Sequence, residues 1–219
     1  MSTKRRIIYV RHGQTEWNAQ FRYQGKANIP LNEKGKAEAR LLGERLKSWT
    51  HCRIYSSPLV RAAETARIIA GFMNPAPPVK LVEDMVEMDF GNWESHSVLD
   101  VMKKDPVLYS AWREDPSSVT PLGGETFESV KSRVKRALEG IFEDADGDIL
   151  VVCHGGTIRA ALTVLFDIPS SMAWRMRLGN CSLTGLDMRE GISFLAFFND
   201  VTHLRVDEGL AGSIPLGEW

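Results

Sequence analysis

Cysteine is scarce in this sequence, charge of one sign is not in excess, and no apolar run is long. The three cysteines, Cys52, Cys153 and Cys181, are odd in number and lack metal-ligand spacing. They argue against a disulfide scaffold or a metal centre and for a reducing, cytoplasmic setting. Lys and Arg total 27 against 28 Asp and Glu, a formal charge of -1, so nothing points to nucleic acid or anionic lipid as the partner. The apolar run after the basic start MSTKRR stops at Val10, and Ile192 to Phe198 is strand length. Both fall short of the roughly 20 residues of a membrane helix, and the first is too short for a signal-peptide core. A chain of 219 residues suits one well-buried domain, expected to span 1–219.

What is present is organised around Val10-Arg11-His12-Gly13-Gln14-Thr15-Glu16-Trp17-Asn18, which begins where the apolar run Ile7 to Val10 ends. A strand with no polar face reads as parallel and covered on both sides. Its end would deliver Arg11 and His12 to the carboxyl edge of a sheet, where open α/β folds place ligands. Arg11 offers a planar fork of donors matched to phosphate oxygens. His12, when neutral, offers a ring nitrogen that can attack phosphorus. Gly13 is expected to bring the backbone close to the ligand.

A second apolar run, Ile149 to Val152, is followed by Cys153-His154-Gly155-Gly156-Thr157-Ile158-Arg159 and repeats the pattern of strand, histidine, glycine and helix. Helix amides at such a start favour an anion. Between the two lie a short strand, Arg53 to Ser56, and a helix in which Pro58 pre-sets the backbone and Ser57 can cap. This places Arg61 in the helix's first turn. The acidic run Glu83 to Glu94 offers five carboxylates as proton donor, and charge alone does not choose among them.

RHGQTEWN resembles the signature of the histidine phosphatase superfamily, the phosphoglycerate mutase-like family. Ser57 to Ala66, Glu87 to Glu94 and the His154-Gly155-Gly156 segment are also similar to it, so the resemblance runs from about residue 6 to about 200. It implies an α/β fold of three layers, a mostly parallel central sheet flanked by helices. It also implies a metal-independent phosphomonoester hydrolase that needs no cofactor and acts on a small phosphorylated metabolite. In such a site His12 is the nucleophile, Glu87 the general acid and His154 the second histidine, while Arg11, Asn18 and Arg61 hold the phosphate. Glu87 would need burial or the phosphate's negative charge to hold its proton.

The likeness leans to the phosphatase branch of α-ribazole and broad-specificity small-metabolite phosphatases, because the Trp-Arg-Arg-Ser insert of the mutases is missing. Mutase-type transfer and an inactive phospho-ligand binding module are the alternatives. Cys153 to Arg159 also fits C-x-x-G-x-x-R, the loop of cysteine-dependent phosphatases, but that chemistry leaves Arg11, His12, Arg61 and Glu87 without a role. Ser95 stands where relatives have glycine.

Elsewhere the reading is of scaffold. A helix capped by Asn32 should bury Ala37, Leu41, Leu42, Leu46 and Trp49. The helix after Thr126 should bury Phe127, Val130, Val134, Leu138 and Ile141 and leave Lys131, Arg133, Lys135 and Arg136 in solvent. The region from Ser97 to Ser118 is expected, by the resemblance, to cover the site's mouth. Arg189-Glu190-Gly191 reads as a hairpin turn at a sheet edge. His51, His96 and His203 match no motif, nor does the stretch from Leu204 to Trp219. The specific substrate is not legible here, and a homo-oligomer is allowed.

Overall fold

A computed structural model describes residues 5–204; the rest of the C-terminal stretch, 205–219, and residues 1–4 lie outside it. Six strands form one sheet: β1 (Arg5–Arg11), β2 (Cys52–Ser56), β3 (Val79–Leu81), β4 (Asp148–Cys153), β5 (Leu183–Arg189) and β6 (Ile192–Asp200). Their order is β3-β2-β4-β1-β5-β6. The first four run parallel, and the β5–β6 hairpin adds two antiparallel strands at one edge. Glu190 and Gly191 both have positive φ, 53° and 79°, the twist a tight hairpin requires.

The helices are α1 (Glu16–Ala19), α2 (Glu33–Leu46), α3 (Val60–Ala70), α4 (Val98–Lys104), α5 (Pro106–Glu114), α6 (Phe127–Asp144), α7 (Gly155–Phe166) and α8 (Ser170–Trp174). Alternate residues of the central strands feed two cores. Ile7, Tyr9, Ile149 and Val151 meet α6 and α7, while Ile8, Val10, Leu150 and Val152 meet α2 and α3. Three layers result, because a strand buried on both faces needs a helix layer on each.

Two helix faces differ from the sequence reading. In α2 the buried residues are Gly35, Glu38, Ala39, Leu42, Gly43 and Leu46, with Ala37 and Leu41 exposed. Tight contact drives this rotation: a Cβ on Gly35 would lie 2.0 Å from the Gln14 carbonyl oxygen. In α6 the apolar face is as expected, but Arg133 is buried. It donates to the carbonyls of Asp84, Val86 and Glu87 and pairs with Glu125 at 2.9 Å. The solvated face of α6 therefore carries a clamp on the segment that ends at Glu87.

Candidate active site

β1 and β4 are parallel neighbours with Arg11 opposite Cys153, so the residues that follow them emerge side by side. The His12 amide donates to the Cys153 carbonyl at 3.0 Å. The two imidazoles face each other with centroids 5.2 Å apart. On the other flank of β4, the Ser57 amide donates to the Val152 carbonyl at 3.0 Å, which brings Ser57 beside His154. The strand order thus gathers three segments at one carboxyl edge.

His12 is buried, and its Nδ1 lies 2.7 Å from the Gly13 carbonyl oxygen. A carbonyl only accepts, so Nδ1 carries the proton and Nε2 keeps its lone pair. The imidazole is held well below the ordinary histidine range by burial and by the charges of Arg61 and Arg11. His154 is fully buried, with Nε2 2.8 Å from the Ser57 hydroxyl and Nδ1 without a partner. The Leu59 amide also donates to that hydroxyl, and in the tautomer in which the hydroxyl donates to Nε2 the ring proton sits on Nδ1. Burial, with Arg61, His12 and Arg11 beside it, also keeps this imidazole neutral. Ser57 is therefore a partner of His154; α3 begins at Leu59 with no side-chain cap.

Arg61, in the first turn of α3, is anchored to the carbonyls of Ala27 and Gly25, each at 2.7 Å. Arg11 donates to the Leu178 carbonyl at 2.6 Å. Burial lowers both guanidiniums, Arg61 to about 10, and each keeps a buried Nε with no partner. Asn18 has its carboxamide oxygen fixed by Thr15 and Asn180, which turns its NH2 away from them. Glu87 accepts from the Met88 amide at 2.8 Å and the Gly156 amide at 3.1 Å. A Cβ on Gly156 would stand 2.5 Å from Glu87 Oε1, so a side chain there would displace the Glu87 carboxylate from its place against α7.

Arg11, His12, Asn18, Arg61 and Glu87 line a cavity of about 230 Å³, with His154 behind His12. Its walls also include Gln24, Phe90, Arg159 and Trp174. Arg159 and Trp174 were not legible as site residues, and the only sequence cue to Arg159 was the cysteine-loop pattern. That pattern fails physically, because Cys153 is fully buried, burial pushes its thiol up, and it is outside the cavity lining. Gly13 also differs from expectation. It approaches α2 instead of the cavity, where its Cβ would lie 2.5 Å from the Gly35 carbonyl oxygen. No residue of 97–118 lines the cavity; Trp112 supports it from behind through Phe90 and Trp174. Among the described residues no group of three or more His, Cys, Asp or Glu could hold a metal ion, and no helix is long and apolar enough to cross a membrane.

Ser95 has φ 68°, the left-handed conformation that glycine adopts at no steric cost. His51 is exposed, His96 touches the Glu94 carbonyl and His203 sits by Arg45, all apart from the cavity lining.

The model of the histidine phosphatase superfamily (branch 1) matches residues 7–201. The chain is 34% identical to phosphoserine phosphatase 1 of Hydrogenobacter thermophilus, covering 91% of this chain and 94% of that protein. Identity to the adenosylcobalamin/alpha-ribazole phosphatase of Salmonella typhimurium is 32%, over 89% and 96%. The structure of mycobacterial glucosyl-3-phosphoglycerate phosphatase Rv2419c with VO3 superposes with a TM-score of 0.82 at 28% identity, over 89% and 98%. With mycobacterial relatives that are 35% identical over 92% of this chain, it spans 56% of their length, about half. The matched residues and the shared architecture make this chain a member of the histidine phosphatase superfamily, branch 1.

Proposed function

We propose that the chain is a metal-independent phosphomonoester hydrolase that works through a phosphohistidine on His12 and acts on a small phosphorylated metabolite. One observation carries this reading. Around a neutral imidazole with a free Nε2, the buried donors without partners are Arg11 Nε, Arg61 Nε, Arg159 Nε, His154 Nδ1 and Trp174 Nε1. Buried donors are normally satisfied, so four of them on residues that line one cavity, with a fifth on His154 next to His12, favour a ligand rich in acceptor oxygens.

In this reading His12 Nε2 attacks phosphorus in line, the P–N bond forms, and the P–O bond to the alcohol breaks. Glu87 gives its proton to the departing oxygen. Arg11, Arg61, Asn18 and His154 Nδ1–H hold the equatorial oxygens, where negative charge spreads in the transition state. Water then attacks phosphorus, Glu87 takes its proton, and the P–N bond breaks to release phosphate. Three free, buried cysteines support a cytoplasmic setting.

The test is release of inorganic phosphate from a panel of small phosphomonoesters, including 3-phosphoglycerate and α-ribazole phosphate, with a metal chelator present. Release is expected to survive the chelator. No release from any member would overturn the reading.

A further inference from the structure

Beside Arg11 and Arg61, and Arg22 tied to Gln20 and the Ser95 carbonyl, Arg159 is a fourth guanidinium in the cavity lining. It projects from α7, held by the Met176 carbonyl at 2.8 Å and lying over the Trp174 ring, 5.0 Å from its centroid. Its Nε is buried without a partner, and Nη1 has none among the described residues. Its place relative to Glu87 gives it a direction. The point where a Cβ would stand on Gly155 is 3.0 Å from Arg159 Nη1, 3.8 Å from Arg11 Nε and 3.9 Å from Glu87 Oε2. Arg159 therefore stands beside the acid, where the alcohol of the substrate leaves.

Charge sharpens the argument. Both imidazoles are neutral, and Glu87 carries a proton when it acts as acid. Arg11 and Arg61 then meet the phosphomonoester dianion, and Arg159, whose neighbouring carboxylate is Glu87, is left without a counter-charge. Arg159 is lowered to about 10 by burial and by Arg11, so it remains charged at neutral pH. A buried positive charge without a counter-charge is costly, and the planar fork of a guanidinium matches a carboxylate.

Resting on the phosphatase reading above, we propose that Arg159 is a specificity residue that binds a carboxylate on the substrate's alcohol portion, so that the preferred substrates are small phosphorylated hydroxy or amino acids. Trp174 keeps the guanidinium in place by stacking beneath it.

Matched substrates test this. 3-Phosphoglycerate and glycerol 3-phosphate differ in carboxylate against hydroxymethyl, and O-phosphoserine and phosphoethanolamine in carboxylate against hydrogen. The wild-type kcat/KM should favour the carboxylate member of each pair by about tenfold or more. Arg159→Met should bring the ratio to within about threefold of unity, mainly through KM, and Arg159→Lys should keep part of it. A wild-type ratio near one, or a preference that survives Arg159→Met, overturns the proposal. So does an equal loss on both members, which would make Arg159 a ligand of the transferred phosphate. If Arg159→Met does not fold, the wild-type ratio and Arg159→Lys decide. p-Nitrophenyl phosphate, which has no carboxylate, separates the two readings. Its hydrolysis, lost in His12→Ala, with a pair ratio near one sinks only this inference, whereas no His12-dependent phosphate from any substrate sinks the parent reading.

Discussion

His12 and His154 follow neighbouring strands in register, each precedes a glycine, and each is buried, yet they spend opposite ring nitrogens on their anchors. His12 spends Nδ1 on the Gly13 carbonyl and keeps an Nε2 lone pair. His154 spends Nε2 on Ser57 and keeps an Nδ1–H. The backbone beyond each residue accounts for the difference. After His12 the chain loops over α2, pinned by the Gly13 amide donating to the Thr65 hydroxyl at 3.1 Å, and α1 starts only at Glu16. His154 is itself the N-cap of α7, with its carbonyl accepting from the Ile158 amide. In the proposed mechanism a similar stretch of sequence serves as nucleophile in one context and as hydrogen-bond donor in the other, because one anchoring bond selects the free nitrogen.

The sharpest way to break this comparison is to remove each ring in turn and look for covalent phosphate. His12→Ala should lower kcat by about three orders of magnitude or more, with no acid-labile phosphoprotein on quenching. His154→Ala should cost about 100- to 1000-fold, as for loss of one transition-state donor, and should still trap phosphoprotein. Label that persists in His12→Ala and vanishes in His154→Ala would reverse the two roles.

A smaller effect is expected at the anchor. Ser57→Ala leaves His154 Nε2 without its partner and frees the ring to change tautomer, so kcat should fall about 10- to 100-fold with little change in KM. Ser57→Thr should restore much of it. The kcat–pH profile is the readout that mere structural damage would not move, because the acid limb reports protonation of a ring that the Ser57 hydroxyl helps to keep neutral. A Ser57→Ala enzyme with wild-type kcat and profile would show that packing alone orients His154.

The sequence made the ends of β1 and β4 legible because apolar runs that stop at Arg-His and Cys-His have few other interpretations in an α/β chain. Arg61 and Glu87 were legible through their motifs. Ser57 was readable only as a helix cap, since its partner lies 97 residues away across a β2–β4 pairing that spacing does not reveal. Arg133 looked solvated because helical periodicity places it on the charged face of α6, and only the fold brings the Asp84 to Glu87 carbonyls over it. Gly13 was misread for the same reason: the surface it approaches belongs to α2. Local pattern carries the elements and the ligand-facing residues, while long-range pairing determines what holds them.

Register gives the smallest prediction. Arg11 and Cys153 occupy paired positions, but Arg11 lines the cavity and Cys153 is sealed into the core with Tyr9 and Val151. A thiol that burial pushes up is a poor source of thiolate, so it should contribute volume and no chemistry. Cys153→Ser places a hydroxyl in that apolar setting at a cost of about 1–3 kcal/mol, measurable as a lower denaturation midpoint. Activity per folded molecule should stay within about twofold of wild type, as for an inert structural cysteine. Complete loss of turnover in a folded Cys153→Ser protein would make the second motif a cysteine-phosphatase loop after all, and the pairing of two histidines would lose its claim to the chemistry.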